Sequence, residues 1–213
     1  MRSLSLVSSW TVLSWMVGSF AHSADEIVTA PSGLEHCVVC HGVELKGNRS
    51  VDAPNLSVLN GWYVENQLRS YQRGTRAPHG STDLIGREMQ PMATALNDSD
   101  VARVLDFLSE VPARNAPTTV RGDPKRGAEL FVSCMSCHGA EGEGNQTLNG
   151  PRLAGQSDWY LVQQLENFRS GARGAEPGDL YGAQMRISTS ILTNAAAIND
   201  VVTYINSLTN QEN

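Results

Sequence analysis

The sequence predicts an all-α protein made of two tandem copies of one small helical domain. Its second half repeats its first, and apolar residues in several segments recur at helical spacing. No segment shows the strict alternation of polar and apolar residues that marks a half-buried strand. A chain of 213 residues has room for two such domains, each with its own core. We therefore expect one functional site per copy.

The repeat has an offset of 97 residues, which holds without a gap over residues 37–76. Matched positions include the pairs Cys37/Cys134, Cys40/Cys137, His41/His138, Gly47/Gly144, Pro54/Pro151, Trp62/Trp159, Tyr63/Tyr160, Gln67/Gln164 and Arg76/Arg173. One residue is then missing from the second copy, so that Met89 falls on Met185. Agreement over one register of this length indicates two homologous domains.

The first residues have the composition of an export signal. Arg2 is the only charged residue before Asp25, residues 4–20 are mostly apolar, and small residues precede a cleavage position after Ser23. An uncleaved membrane anchor is the alternative, although its many serines make this stretch a weak spanning helix. The predicted divisions are a cleaved signal at 1–23, a first domain at 24–111, an extended linker at 112–122 and a second domain at 123–213. Export predicts a periplasmic protein.

Each domain is expected to contain a leading, a middle and a closing helix. The second leading helix begins at Asp123-Pro124-Lys125, because an acidic residue and a proline are typical of a helix start, and it leads to Cys134. The remaining predicted helices are 30–36, 62–73 and 98–111 in the first copy, and 159–170 and 194–208 in the second. Pro112 and Pro117 favour an extended linker between the copies.

Both copies contain the pattern Cys-X-X-Cys-His, which is typical of covalent c-type haem attachment through two thioether bonds. The predicted attachment residues are Cys37, Cys40, Cys134 and Cys137, and the predicted iron ligands next to them are His41 and His138. Zinc binding, a thioredoxin-like redox pair and two structural disulfides are the alternatives. None of them accounts for a histidine after both cysteine pairs. We expect two covalently bound haem c groups and a function in electron transfer.

Methionine is the expected second ligand of each iron, because a thioether favours ferrous iron and raises the potential. Met185 is the only methionine far enough beyond the second haem motif, since Met135 lies within it. In the first copy the repeat register selects Met89, and Met92 is the alternative. Packing in the core is the other role open to these methionines. The second domain has no spare histidine for bis-histidine ligation, and His79 in the first is expected to be a solvated loop residue.

Two further features surround the predicted haem sites. Pro54 and Pro151 each follow their haem histidine by 13 residues. A backbone carbonyl near each proline is expected to accept the Nδ1 proton of that histidine, and a simple turn is the alternative. Four arginines are candidates for contact with haem propionates, or else are solvated charges at helix ends: Arg73, Arg76, Arg169 and Arg173.

The charge balance limits the class of partner. The chain contains 22 acidic and 16 basic residues, for a formal net charge of −6. An acidic protein is not expected to bind nucleic acid or an anionic membrane surface. The charge suits docking to a basic patch on a redox partner, and it also serves ordinary solubility.

Residues 151–160 and 164–171 resemble the bacterial dihaem cytochrome c4 family. The resemblance covers nearly the whole mature chain. It implies two class I cytochrome c domains related by a pseudo-twofold axis, with the propionate edges of the haems approaching each other across the interface. It also implies the ligand pairs His41 with Met89 and His138 with Met185. The first half departs from the pattern, because residues 55–60 replace the Leu-Ala-Gly-Gln run of the second copy.

The leading functional hypothesis is a periplasmic electron shuttle in a respiratory chain. Its partners would be a quinol-oxidising complex or dehydrogenase upstream and a terminal oxidase or reductase downstream, with at most peripheral membrane association and a monomeric state. The alternative is an electron-accepting subunit of a dehydrogenase, such as flavocytochrome c sulfide dehydrogenase. A haem enzyme is disfavoured, because both domains offer a methionine ligand and no cysteine is spare.

Overall fold

The computed structural model describes residues 29–209, and in that range the protein is helical. The α-helices are α1 Glu35–His41, α2 Gly61–Arg73, α3 Leu84–Thr94, α4 Asp98–Glu110, α5 Pro124–His138, α6 Asp158–Ser170, α7 Leu180–Ser188 and α8 Ala195–Leu208. Single 3-10 turns lie at Arg49–Val51, Gln146–Leu148 and Thr189–Ile191. Between residues 29 and 209 there are no strands, only isolated bridges at Asn48/Ala53 and Asn145/Gly150. The predicted all-α class is confirmed, and the predicted export signal lies outside the described residues.

Two hydrophobic cores, one in each half of the chain, support the two-domain organisation. The first contains Leu34, Leu45, Val64, Leu68, Tyr71, Ala93, Val101, Val104, Phe107 and Leu108. The second contains Phe131, Leu161, Leu192, Ile198, Val201, Val202, Ile205 and Leu208. Burial of apolar side chains on this scale is what holds each helical unit together. Each half is therefore a domain with its own core.

The leading helix of the first copy differs from the prediction. It was expected at 30–36, but α1 is Glu35–His41 and itself contains the haem motif. Upstream, Leu34 N donates to the carbonyl of Pro31 in a turn, and Gly33 has φ of 86°, which a helix cannot include. Leu34 fills the position that Phe131 holds in α5, and both side chains are fully buried. The first copy thus lacks the first turns of the leading helix, but Leu34 keeps the buried apolar position that Phe131 holds in the second copy.

The second leading helix, α5, crosses the closing helix α8 at very short range. A Cβ atom on Gly127 would overlap the backbone carbonyl of Asp200, so only glycine permits this approach. The Asp200 carboxylate accepts a hydrogen bond from Asp123 N at 2.7 Å and thereby holds the start of α5. The crossing fixes the helix that carries the second haem motif.

Two helices that the sequence analysis did not predict, α3 and α7, carry the candidate methionine ligands. Asp83 caps α3 by accepting from Gly86 N at 2.9 Å, and Asp179 caps α7 by accepting from Gly182 N at 2.9 Å. Pro91 lies inside α3. Since proline and glycine are signals of helix ends, these segments have the composition of loops.

The linker at 112–122 contains no helix, and both domains bind it. On the first domain, Asn55 Nδ2 donates to the carbonyl of Arg114 at 2.8 Å, and Arg114 N donates to Ser57 Oγ at 3.2 Å. On the second, Asp158 accepts from the backbone N–H of Thr119 and from Val120 N. The linker is therefore a fixed part of the domain interface and not a loose tether.

None of the helices between residues 29 and 209 is both long and apolar enough to cross a bilayer.

Candidate functional site

The first haem motif lies on one short helix beside an apolar cavity. Cys37, Cys40 and His41 of α1 all border this cavity, which has a volume of about 220 Å³. Neither cysteine forms a disulfide. Since residues three apart on a helix share a face, the two sulfurs are presented to the same space. The arrangement suits attachment of one flat group through two adjacent bonds.

The second motif repeats this arrangement at the end of α5. Cys134, Cys137 and His138 border a cavity of about 90 Å³, and His138 also borders an adjoining cavity of about 380 Å³ that extends to the domain interface. Neither of these cysteines forms a disulfide. The second site is thus open toward the first domain.

The two motif histidines are oriented by backbone carbonyls. His41 Nδ1 lies 2.9 Å from the carbonyl oxygen of Pro54, and His138 Nδ1 lies 2.8 Å from that of Pro151. The predicted hydrogen bond near each proline is confirmed. Burial lowers the pKa of both imidazoles, although the carbonyl opposes this. Each ring therefore stays neutral and keeps Nε2 free as a metal ligand.

Glycines after each motif let the chain pass over the peptide group that holds the histidine. Gly47 has φ of 87°, and a Cβ atom there would lie 2.8 Å from Asn55 N. Gly144 has φ of 91°, and its Cβ would lie 2.7 Å from Arg152 N. Any other residue would be strained in backbone angle and in space. These two glycines therefore help fix the carbonyls that orient the histidines.

The structure places the candidate methionines differently with respect to solvent. Met89 is partly buried against the first core, whereas Met92 is 42% exposed, and both border the cavity of His41. Met185 borders both cavities of His138. His79 is exposed, as expected of a solvated loop residue. Each cavity thus combines one buried imidazole with a thioether.

A symmetric polar network lies between the domains. Arg76 Nη1 donates to Gln67 at 2.6 Å, and Arg76 Nη2 lies 3.2 Å from the Tyr160 hydroxyl. In the other copy Arg173 Nη1 donates to Gln164 at 2.7 Å, and its Nη2 donates to the Tyr63 hydroxyl at 3.1 Å. The repeat pairs these residues, so the pseudo-twofold relation of the domains is visible in side-chain contacts.

The same network tests whether a haem fits. Arg76 and Arg173 are each more than nine-tenths buried, and neither forms an ion pair with a carboxylate within residues 29–209. Arg76 Nε is buried without a hydrogen-bond partner, and Arg76 borders both the first cavity and the interfacial one. Buried cations need counter-charges. The propionate carboxylates of the two haems would supply them, so the residues fit this group.

The other two candidate arginines, Arg73 and Arg169, are exposed.

The zinc alternative has no support in the geometry. Over residues 29–209, no group of three or more His, Cys, Asp or Glu side chains is arranged to hold a metal ion. The two cysteine pairs border separate cavities.

Sequence reasoning missed several interface residues. The repeat matched Tyr63 with Tyr160 and Gln67 with Gln164, which was a usable signal, but it suggested no role for them. Asn55, Asn60 and Gln156 gave no such signal, because their repeat partners are residues of other types.

Comparison with known proteins gives a consistent result. The family model for cytochrome c matches residues 32–112 and 124–209. A cytochrome c4 from Azotobacter vinelandii is 32% identical over 74% of this chain and 79% of its own length. A thiosulfate dehydrogenase electron acceptor from Stutzerimonas stutzeri is 31% identical over 68% of each chain. The solved structure of Acidithiobacillus ferrooxidans cytochrome c4 superposes with a TM-score of 0.63 at 28% identity, covering 80% of this chain and 98% of that one.

Proposed function

Because this chain belongs to the cytochrome c family, among its two-domain cytochrome c4 members, we propose that it shuttles electrons between redox partners in the periplasm. As a member of that group it binds two covalently attached haem c groups and transfers electrons. When bound, each haem supplies a reversible one-electron couple at its iron. The chain's residues bind, orient and shield that group.

The observation that carries the proposal is that each cavity is bordered by a buried motif histidine and by methionine: Met89 and Met92 at the first cavity and Met185 at the second. We assign Cys37 and Cys40 with His41 and Met89 to the first haem. We assign Cys134 and Cys137 with His138 and Met185 to the second haem. Met89 is chosen over Met92 because it is the less exposed of the two. If the assigned histidine and methionine both bind the iron, no coordination position would remain for a substrate, which supports a carrier and not an enzyme.

The assignment is tested by expressing the chain in a bacterium that attaches haem in its periplasm. The intact mass should exceed that of the processed chain by two haems. Replacing both Cys37 and Cys40 with Ala should remove one haem and leave the second domain loaded, and the matching change at Cys134 and Cys137 should do the reverse. A wild-type chain without two haems would contradict the proposal.

A second candidate function is electron acceptor of a dehydrogenase, as the name of the S. stutzeri relative states for that protein. A second relative with this name, from Thiomonas intermedia, is 28% identical. Mixing the oxidised holoprotein with purified thiosulfate dehydrogenase and thiosulfate separates the two functions. Rapid reduction of both haems supports the acceptor role. Reduction no faster than that of an unrelated cytochrome supports the general shuttle.

A further inference from the structure

Each motif histidine is connected to the opposite domain through a single peptide group. The carbonyl of Pro54 accepts from His41 Nδ1 at 2.9 Å. The N–H of the same peptide group belongs to Asn55, and it donates to Gln156 Oε1 at 2.9 Å. Gln156 is part of the second domain, whereas His41 is part of the first. A hydrogen-bonded chain therefore runs from the first histidine across the interface.

The second histidine has the reciprocal connection. The carbonyl of Pro151 accepts from His138 Nδ1 at 2.8 Å, and the N–H of that peptide group, at Arg152, donates to Asn60 Oδ1 at 3.3 Å. Asn60 is the N-cap residue of α2 but makes no capping hydrogen bond to its own helix. Its amide oxygen is thus available to the other domain.

The two acceptors are not related by the repeat. At the offset of 97 residues, Gln156 corresponds to Leu59 and Asn60 corresponds to Ser157. Each domain therefore meets the other's histidine-bound peptide group with an amide oxygen from a different position. Both contacts donate an N–H to an amide oxygen of the other domain, but this similarity was not inherited from the duplication, because the two acceptors are not repeat counterparts.

A hydrogen bond donated by the N–H of a peptide group strengthens that group as an acceptor at its carbonyl. Chains of hydrogen bonds polarise one another in this way, and the effect is larger in a buried site. A stronger acceptor draws the Nδ1 proton away from the imidazole and raises the basicity of the ring. A more basic ligand stabilises ferric over ferrous iron. The cross-domain contact is therefore expected to lower the potential of the haem that the histidine binds.

The contact at the first histidine is the stronger of the two. Gln156 is 3% exposed, and its Nε2 donates back to the Asn55 carbonyl at 2.8 Å, so its amide is held on both sides. The contact of Asn60 is longer, 3.3 Å against 2.9 Å, and Asn60 is only partly buried. Polarisation of the Pro54 carbonyl should therefore exceed that of Pro151.

We propose that Gln156 and Asn60 are positioning residues that each set the potential of the haem in the opposite domain, with Gln156 having the larger effect. This inference rests on the proposed function, because it requires a haem on each histidine. If it holds, the contact between the domains sets the redox potentials of the haems as well as the distance between them.

The test is a redox titration of the holoprotein by NMR, which follows the methyl resonances of each haem separately. Gln156→Met keeps the length of the side chain and removes the acceptor. We expect the potential of the first haem to rise and that of the second to stay unchanged. In the ferrous protein, the Nδ1 proton resonance of His41 should move upfield. Asn66→Ala is the matched control, because it removes an interdomain contact to Asn149 that touches neither peptide group, and it should shift neither potential.

Asn60→Ala provides the reciprocal test and decides the matter if Gln156→Met does not fold. It should raise the potential of the second haem, by less than Gln156→Met raises that of the first, and leave the first haem unchanged. Unchanged potentials in either folded variant, or equal shifts of both haems, would overturn the inference. Failure of the proposed function would look different, since the wild-type chain would then lack the mass of two haems.

Discussion

Arg76 and Arg173, one from each domain, donate to the same atom. Their guanidinium groups lie 2.6 Å and 2.8 Å from Gln67 Oε1. Two like charges this close repel each other strongly in a buried site, and Gln67 is neutral. We expect anions beside the pair to offset this repulsion, and the propionate groups of two haems would provide them.

Removal of one arginine of this pair should affect both haems. Arg76 borders both the first cavity and the interfacial one. A nearby cation disfavours ferric iron, so Arg76→Gln should lower both potentials in a spectroelectrochemical titration. Arg69→Gln is the matched control, because Arg69 is ion-paired with the exposed Asp98 at 2.7 Å and borders neither cavity. A shift confined to one haem would show that the pair is not shared.

Loss of the assigned methionine should lower the potential of one haem only. Axial ligands span roughly 0.8 V of haem potential, and a thioether lies toward the upper end. Met89→Ala should therefore lower the potential of the first haem by a substantial part of that range. Met185→Ala should lower the potential of the second haem to a similar extent. Met92→Ala, at the more exposed position, should leave both unchanged. A fall with Met92→Ala but not with Met89→Ala would reverse the assignment.

Asp158 makes the stability of the linker contact dependent on pH. Burial raises the pKa of this carboxyl, but hydrogen bonds from Val120 N, Thr119 N and the Thr119 hydroxyl outweigh burial and hold it below the usual value. Its stabilising contribution is therefore full above the ordinary pKa of about 4 and is lost as the pH falls through the lower folded value.

Asp158→Asn should destabilise the protein by about 2–4 kcal/mol at pH 7, because hydrogen bonds to a charged group are lost. The difference from wild type should shrink as the pH falls below about 4. Denaturant unfolding followed by circular dichroism at several pH values measures this. Asp106→Asn, at an exposed position on α4, should show little difference at any pH. A pH-independent loss in Asp158→Asn would contradict the assigned role of its charge.

Alanine substitutions at Gly47 and Gly80 distinguish two energetic costs of replacing a glycine, backbone strain and steric overlap. Both have positive φ, 87° and 89°, but a Cβ on Gly80 would meet nothing within 4 Å. Gly80→Ala should cost about 1–2 kcal/mol for the backbone angle alone. Gly47→Ala adds overlap with the Pro54–Asn55 peptide group and should cost about 1–3 kcal/mol more. Equal losses in thermal unfolding would show that the peptide group can move aside.

The elements that sequence reasoning predicted are those with local signals. The repeat and the apolar periodicity predicted the two domains, and α2, α4, α6 and α8 lie within a residue or so of the predicted bounds. The haem motif and the proline carbonyls also depend on short spacing along the chain. Helices α3 and α7 were missed because Pro91, Gly86 and Gly182 are residues that usually end helices.

The domain interface was not predictable in the same way. Asn55 and Gln156 are 101 residues apart, and their contact depends on how two completed domains pack. Residues 55–60 departed from the repeat for a reason that only the structure reveals: Asn55 and Ser57 hold the linker, and Asn60 reaches the second domain.

The linker runs along one side of the interface, where Asp158 holds it. The repeat counterpart of Asp158 is Gly61, which has no carboxylate to offer. One covalent connection cannot obey a twofold axis, so the two halves of a single chain never have identical surroundings. The two haem sites are therefore inequivalent, and we expect an electron on the molecule to favour one of them. Two identical subunits would impose no such preference.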